Sequence, residues 1–219
     1  MRTYEFEYIK NIKKQLVTKI PGSSTIPSGI SPFRYPGGKA KLSSFIALFV
    51  VTNKLEGCTL VEPFCGGAGG TLPLLHAGLI DRLVLNDLNP GVYSFWLSLT
   101  KNTNALINMI ENEPVTIDAW QHWREVYYSE DPKKHTTLEK GFATFFLNRT
   151  NRSGMLHAGP IGGQKQSNSD YKLDCRFTKK TLIQRIERLA VLSNKISVSQ
   201  KDACNSIHNI SSDSFIYAD

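Results

Sequence analysis

The chain has 219 residues, 41% of them hydrophobic and 21% charged, which suits a globular protein with its own apolar core and argues against intrinsic disorder. Its formal net charge of +7 is compatible with a polyanionic partner, although basicity alone does not single out nucleic acid. The longest apolar run, residues 45–51, is far too short to span a bilayer and no apolar signal-like stretch opens the chain, so no membrane association is expected and the cytoplasm is the expected compartment. The scattered cysteines Cys58, Cys65, Cys175 and Cys204 fit neither a zinc site nor a disulfide scaffold; reduced thiols and no metal are expected.

Residues 1–20 interleave Lys10, Lys13, Lys14 and Lys19 with apolar positions, which predicts a short basic helix. Residues 21–30 (PGSSTIPSGI) have the composition of a linker, so residues 1–30 read as an N-terminal basic segment. The spacing of Leu42, Phe45, Ile46, Phe49 and Val50 predicts a helix over 39–53. Residues 59–64 (TLVEPF) form a β-prone run ending in a glycine cluster, and a helix is expected to follow through Leu72, Leu75 and Leu79. A second buried strand is predicted over 82–86 (RLVLN), and Pro90 suits the first turn of another helix. Strand–helix–strand opens a parallel α/β sheet.

Residues 100–175 break this rhythm. Helical stretches are predicted around 120–128 and 138–148, followed by a polar, glycine-rich segment over 149–174. A helix over 178–194, with Leu182, Ile186, Leu189 and Leu192 on one face, then leads to strand-like runs at 196–199 and 214–217. The α/β pattern therefore resumes. Residues 31–100 and 176–219 read as one domain and 101–175 as an insertion.

The segment VEPFCGGAGGT (61–71) places Gly66, Gly67, Gly69 and Gly70 directly after a strand, where a ligand can approach the backbone and the next helix start favours negative charge. Further on, LNDLNP (85–90) puts Asp87 at the end of the second strand, where a carboxylate can bind ribose hydroxyls. Dinucleotide binders and S-adenosylmethionine binders share this pattern, and a purely structural turn is a third reading of the loop.

Beyond the loop, SPFRYPGGKAKL (31–42), VEPFCGGAGG (61–70), LNDLNP (85–90), FFLNRTNRSG (145–154) and SFIYAD (214–219) occur in one order. This ordered set resembles the Dam-like adenine-N6 DNA methyltransferase family. The resemblance implies a Rossmann-like methyltransferase sheet with an inserted, mainly helical DNA-recognition region. It implies S-adenosylmethionine as methyl donor and double-stranded DNA as partner, in a monomer. A restriction–modification setting is compatible with it. By the same resemblance Lys39 lies close to the methyl donor, against the alternative of an ordinary helix-start lysine. Phe64, Gly66, Gly67 and Gly69 would wrap the amino-acid end of the cofactor, with Tyr35 and Glu62 completing its site, and Asp87 would hold the ribose. Asp202, in SQKDA, matches a family position that accepts from the adenine amino group, although an Asp after a strand is also a common helix cap.

Asp219 is the expected catalytic residue. The exocyclic amine of adenine is a poor nucleophile, and a carboxylate accepting its hydrogen bond steers the lone pair toward the donor methyl. The family's motif continues Asp-Pro-Pro-Tyr, whereas this sequence stops at Asp219. The expectation is that these residues alone are inactive and poorly soluble, with a C-terminal half missing. For DNA, the resemblance points to Asn148, Arg149, Asn151, Arg152 and Lys165, on a segment (HAGPIGGQKQSNSD, 157–170) expected to form a hairpin entering a groove. The continuation after Asn-Arg departs from the family's aromatic-rich pattern, so a GATC preference does not carry over. Two other readings stay open: a non-catalytic DNA- or cofactor-binding remnant, and a dinucleotide-dependent oxidoreductase supported only by the glycine loop and Asp87.

Overall fold

The computed structural model describes residues 29–219 apart from 35, 36, 132, 168, 169, 209 and 212. The expected N-terminal basic helix and Tyr35 lie outside the described residues. Four strands, β1 (Thr59–Glu62), β2 (Arg82–Asn86), β3 (Ile196–Ser199) and β4 (Ser214–Ile216), make one parallel sheet in the order β3-β2-β1-β4. Leu60, Val61, Leu83 and Leu85 are buried, as central strands covered on both faces require. From β1 the chain steps to β2 and β3 on one side, then returns to place β4 on the other side of β1. In this parallel sheet the carboxyl ends of β1, β2 and β4 lie along one edge, the edge at which an open parallel sheet forms its ligand crevice.

Eight helices frame the sheet among the described residues: α1 (Ser43–Thr52), α2 (Leu72–His76), α3 (Pro90–Lys101), α4 (Thr103–Asn112), α5 (Ile117–Tyr128), α6 (Thr137–Thr150), α7 (Lys179–Ala190) and α8 (Ala203–Ile207). Their starts follow capping chemistry. Asn89 accepts from the Gly91 and Val92 N–H groups ahead of Pro90, Thr116 caps α5, and Thr136 with Glu139 closes a reciprocal capping box on α6. Every residue from Gly141 to Thr150 of α6 is buried, so this helix is covered on all sides and α3 lies along it. A Cβ at Gly141 would sit 2.6 Å from the Ser94 carbonyl oxygen, which is why the closest approach of α3 and α6 carries glycine. Among the described residues no helix is long and apolar enough to cross a membrane.

Two local expectations need correction. The helix after the glycine loop ends at His76, because the N–H groups of Gly78 and Leu79 turn back to the carbonyls of Leu75 and Leu74. Leu79 is thus the buried apolar residue that follows a helix end. The helix expected over 39–53 forms as a 3-10 turn at Ala40–Leu42 followed by α1; its core face is Ile46, Ala47, Val50 and Val51, while Leu42, Phe45 and Phe49 are exposed, and Phe49 stacks on Phe215 of β4 at 5.1 Å. The expected hairpin in the glycine-rich segment reduces, among the described residues, to a single antiparallel bridge between Asn151 and Pro160. Side chains replace a strand ladder there. Gln166 donates to the Ile161 and Gly163 carbonyls and accepts from Leu173 N–H. Helix α4 had no counterpart in the sequence reading; it buries only Leu106 and Ile110, too sparse a stripe to stand out.

Candidate functional site

The end of β1 runs into the glycine loop, and the end of β2 holds that loop in shape. Asp87 accepts from Gly66 N–H at 2.9 Å through one oxygen and from Asn89 N–H at 2.9 Å through the other. Trp96 of α3, fully buried, donates its indole N–H to the Gly66 carbonyl. Asn86, also fully buried, donates to the carbonyls of Pro63 and Lys201 and accepts from Ser199 Oγ and Lys201 N–H. One amide side chain thus ties together the carboxyl ends of β1, β2 and β3, satisfying backbone groups that lie beyond the ladder.

The opposite wall comes from residues 29–34 and 37–40, held by the Leu-Asn-Arg stretch at the end of α6. Asn148 accepts from Arg34 N–H at 2.8 Å and donates to the carbonyls of Arg34 and Gly154. Arg149 donates to the Pro32 carbonyl. Gly154, at φ +74°, packs its α-carbon so closely on the Arg34 carbonyl that any Cβ would collide with it. Ser31 in turn donates its hydroxyl to the Gly67 carbonyl, joining this wall to the glycine loop.

Between the two walls lies a cleft of about 620 Å³, within the range of small-molecule sites of roughly 300–1,000 Å³. Lys39, Glu62, Phe64, Gly66, Gly67, Gly69, Asp87 and Asp219 all line it. Phe64 is 58% exposed and so free to cover a ligand, whereas Gly66 and Gly67 are buried. Lys39 Nζ lies 2.5 Å from Asp219 Oδ2 and spans the cleft from the start of α1 to the strand end after β4. Burial pushes the Glu62 carboxyl up to about 8 and the Asp219 and Asp87 charges add to this, against the hydrogen bond it accepts from Thr71. Burial also raises Asp87, opposed by the N–H groups of Asn89 and Gly66.

The remaining expected site residues are placed differently. Asp202 is exposed, accepts from Cys204 and Asn205 N–H groups as the cap of α8, and does not line the cleft. Asn148, Arg149 and Asn151 are buried with their polar atoms turned inward: Asn151 accepts from Trp120 Nε1 and donates to the Met155 and Leu156 carbonyls. Arg152 and Lys165 are exposed. The sequence reading overlooked Asn86, Trp96, Arg34 and Arg185. Asn86 sat in view inside LNDLNP; Arg185 carried no signal, since on a helix face it reads as ordinary solvated charge.

Comparison with protein families agrees with this geometry. The chain matches the model of the D12 class N6 adenine-specific DNA methyltransferases over residues 35–219. No curated protein matches it. The match covers most of the chain, and the chain belongs to this family of DNA-modifying enzymes.

Proposed function

We propose, from that membership, that the cleft binds S-adenosylmethionine and that the chain directs its methyl group to N6 of adenine in duplex DNA. Residues 31–100 and 176–219 serve as a Rossmann-like catalytic unit and 101–175 as a target-recognition insertion. The observation that carries the proposal is the convergence of the glycine loop, Asp87 and Asp219 on one cleft at the carboxyl edge of the sheet.

The residues fit the cofactor. Asp87 offers a half-buried carboxylate for ribose hydroxyls, Gly66, Gly67 and Gly69 line the cleft without side chains that would fill it, and the exposed Phe64 ring can cover a ligand. When bound, the cofactor supplies an electrophilic methyl group on a sulfonium. Asp219 is the acceptor for the adenine amino hydrogen as that nitrogen becomes tetrahedral. In the structure this carboxylate is held by Lys39, so the base must displace an ion pair that keeps Asp219 aimed into the cleft. A base reaching the cleft has left the helical stack. Arg152 and Lys165, exposed on the glycine-rich segment, suit phosphate contacts. Asn148, Arg149 and Asn151 act by fixing the loop and the cleft wall, and Asp202 by starting α8.

Calorimetry with S-adenosylhomocysteine and transfer of radiolabelled methyl to a mixed-sequence duplex test the proposal. Binding is expected in the unaltered chain and in Asp219→Ala, and any adenine methylation that the chain performs should be lost with that substitution. Absence of any heat with the nucleoside at millimolar concentration would end this reading. Binding with no transfer under any condition favours a cofactor-binding protein without catalysis.

A further inference from the structure

Three guanidinium groups gather on one wall of the cleft. Arg34 and Arg185 line it, and Arg149 lies behind them, 6% exposed. The charged groups that bear on Arg149 are Arg185 and Arg34, and Arg176 bears on Arg34 in the same sense. Among the described residues no carboxylate forms an ion pair with Arg34, Arg149 or Arg185; Lys39 is engaged with Asp219. Two of the donors find nothing at all: Nη1 of Arg34 and Nε of Arg149 are buried without a hydrogen-bond partner. Crowded like charges with idle donors are costly to bury, and an oxyanion is the ligand that relieves both costs at once.

The position identifies the oxyanion. Arg185 donates from Nη1 to the Ser31 carbonyl at 3.0 Å, and the hydroxyl of the same serine donates to the Gly67 carbonyl. A single residue therefore separates the arginine wall from the glycine loop. Of the other ionisable groups lining the cleft, Asp87 and Asp219 are acids that repel a carboxylate, burial holds Glu62 protonated, and Lys39 is paired with Asp219. We propose that Arg34 and Arg185, backed by Arg149, form a carboxylate site for the amino-acid end of the bound cofactor. This rests on the cofactor reading above. Guanidinium groups favour this partner because their planar fork matches a carboxylate in two parallel hydrogen bonds.

The test is made on the unaltered chain by calorimetry with S-adenosylhomocysteine, its decarboxylated counterpart and 5′-methylthioadenosine. The carboxylate-bearing ligand is expected to bind at least about tenfold tighter than the decarboxylated one. Arg185→Gln should narrow that preference to about threefold or less and leave 5′-methylthioadenosine binding unchanged. Equal affinity of the two ligands for the unaltered chain overturns the carboxylate site while leaving the cofactor cleft intact. Failure of all three nucleosides to bind removes the cofactor reading and the site with it. If Arg185→Gln instead weakens binding to a short duplex and the carboxylate preference persists, the cluster serves a DNA phosphate and the assignment is overturned.

Discussion

Glu62→Gln is expected to stabilise the protein, and only above mildly acidic pH. Glu62 is 6% exposed at the end of β1, and its pKa is pushed up to about 8 from the usual 4.5, first by burial and then by Asp219 and Asp87. A carboxyl raised in the fold supports folding fully below about pH 4.5. It withdraws that support as pH rises to about 8, because over this window only the unfolded chain gives up the proton. Each pH unit inside the window costs about 1.4 kcal/mol, so roughly 3 kcal/mol has gone by pH 7. Glutamine keeps an oxygen to accept from Thr71 Oγ1 and has no proton to lose. Urea denaturation should therefore place Glu62→Gln within about 1 kcal/mol of the parent at pH 5 and about 3 kcal/mol above it at pH 7. For a chain of this size the midpoint of thermal unfolding should rise by roughly 6–12 °C at the higher pH. A variant less stable than the parent at pH 7, or a difference that does not change with pH, would refute the reasoning. Either would show that Glu62 is ionised in the folded protein.

Asn148→Ala removes one acceptor and two donors from a fully buried position and strands the Arg34 N–H, so a loss of about 3 kcal/mol in urea denaturation is expected, with weaker binding of S-adenosylhomocysteine. Asp87→Ala should weaken that ligand at least about tenfold by calorimetry, since it deletes the expected ribose acceptor and frees the Gly66 N–H. An unchanged affinity would place the ribose elsewhere. Arg152→Ala and Lys165→Ala should each reduce the salt dependence of duplex binding by about one unit of slope in a gel-shift titration, whereas neither should shift the folding midpoint.

Much of the framework was legible because it is written at short range. Strands β2 and β3 matched their apolar runs residue for residue, and Pro90 marked a helix start by chemistry confined to a few neighbours. What misled was the direction of a side chain. The polar residues of FFLNRTNRSG say that hydrogen bonds are needed there, yet the spacing does not say whether backbone or ligand receives them. The fold turned Asn148, Arg149 and Asn151 inward, because residues 29–34 and the loop after α6 leave carbonyls and N–H groups that nothing else can satisfy. Asp202 shows the same ambiguity between ligand and cap.

By itself the sequence determined the parallel strands, the glycine loop with its acid, and the polar chemistry available to the site. Tertiary structure decided which of these meet. Placing β4 on the far side of β1 brings Asp219 to Lys39, and packing α6 and α7 against residues 29–34 brings Arg149 and Arg185 to Arg34. The reason is physical: local propensity acts over a few residues, whereas the charges that set this cleft's chemistry lie far apart along the chain and interact only once the sheet has closed the distance.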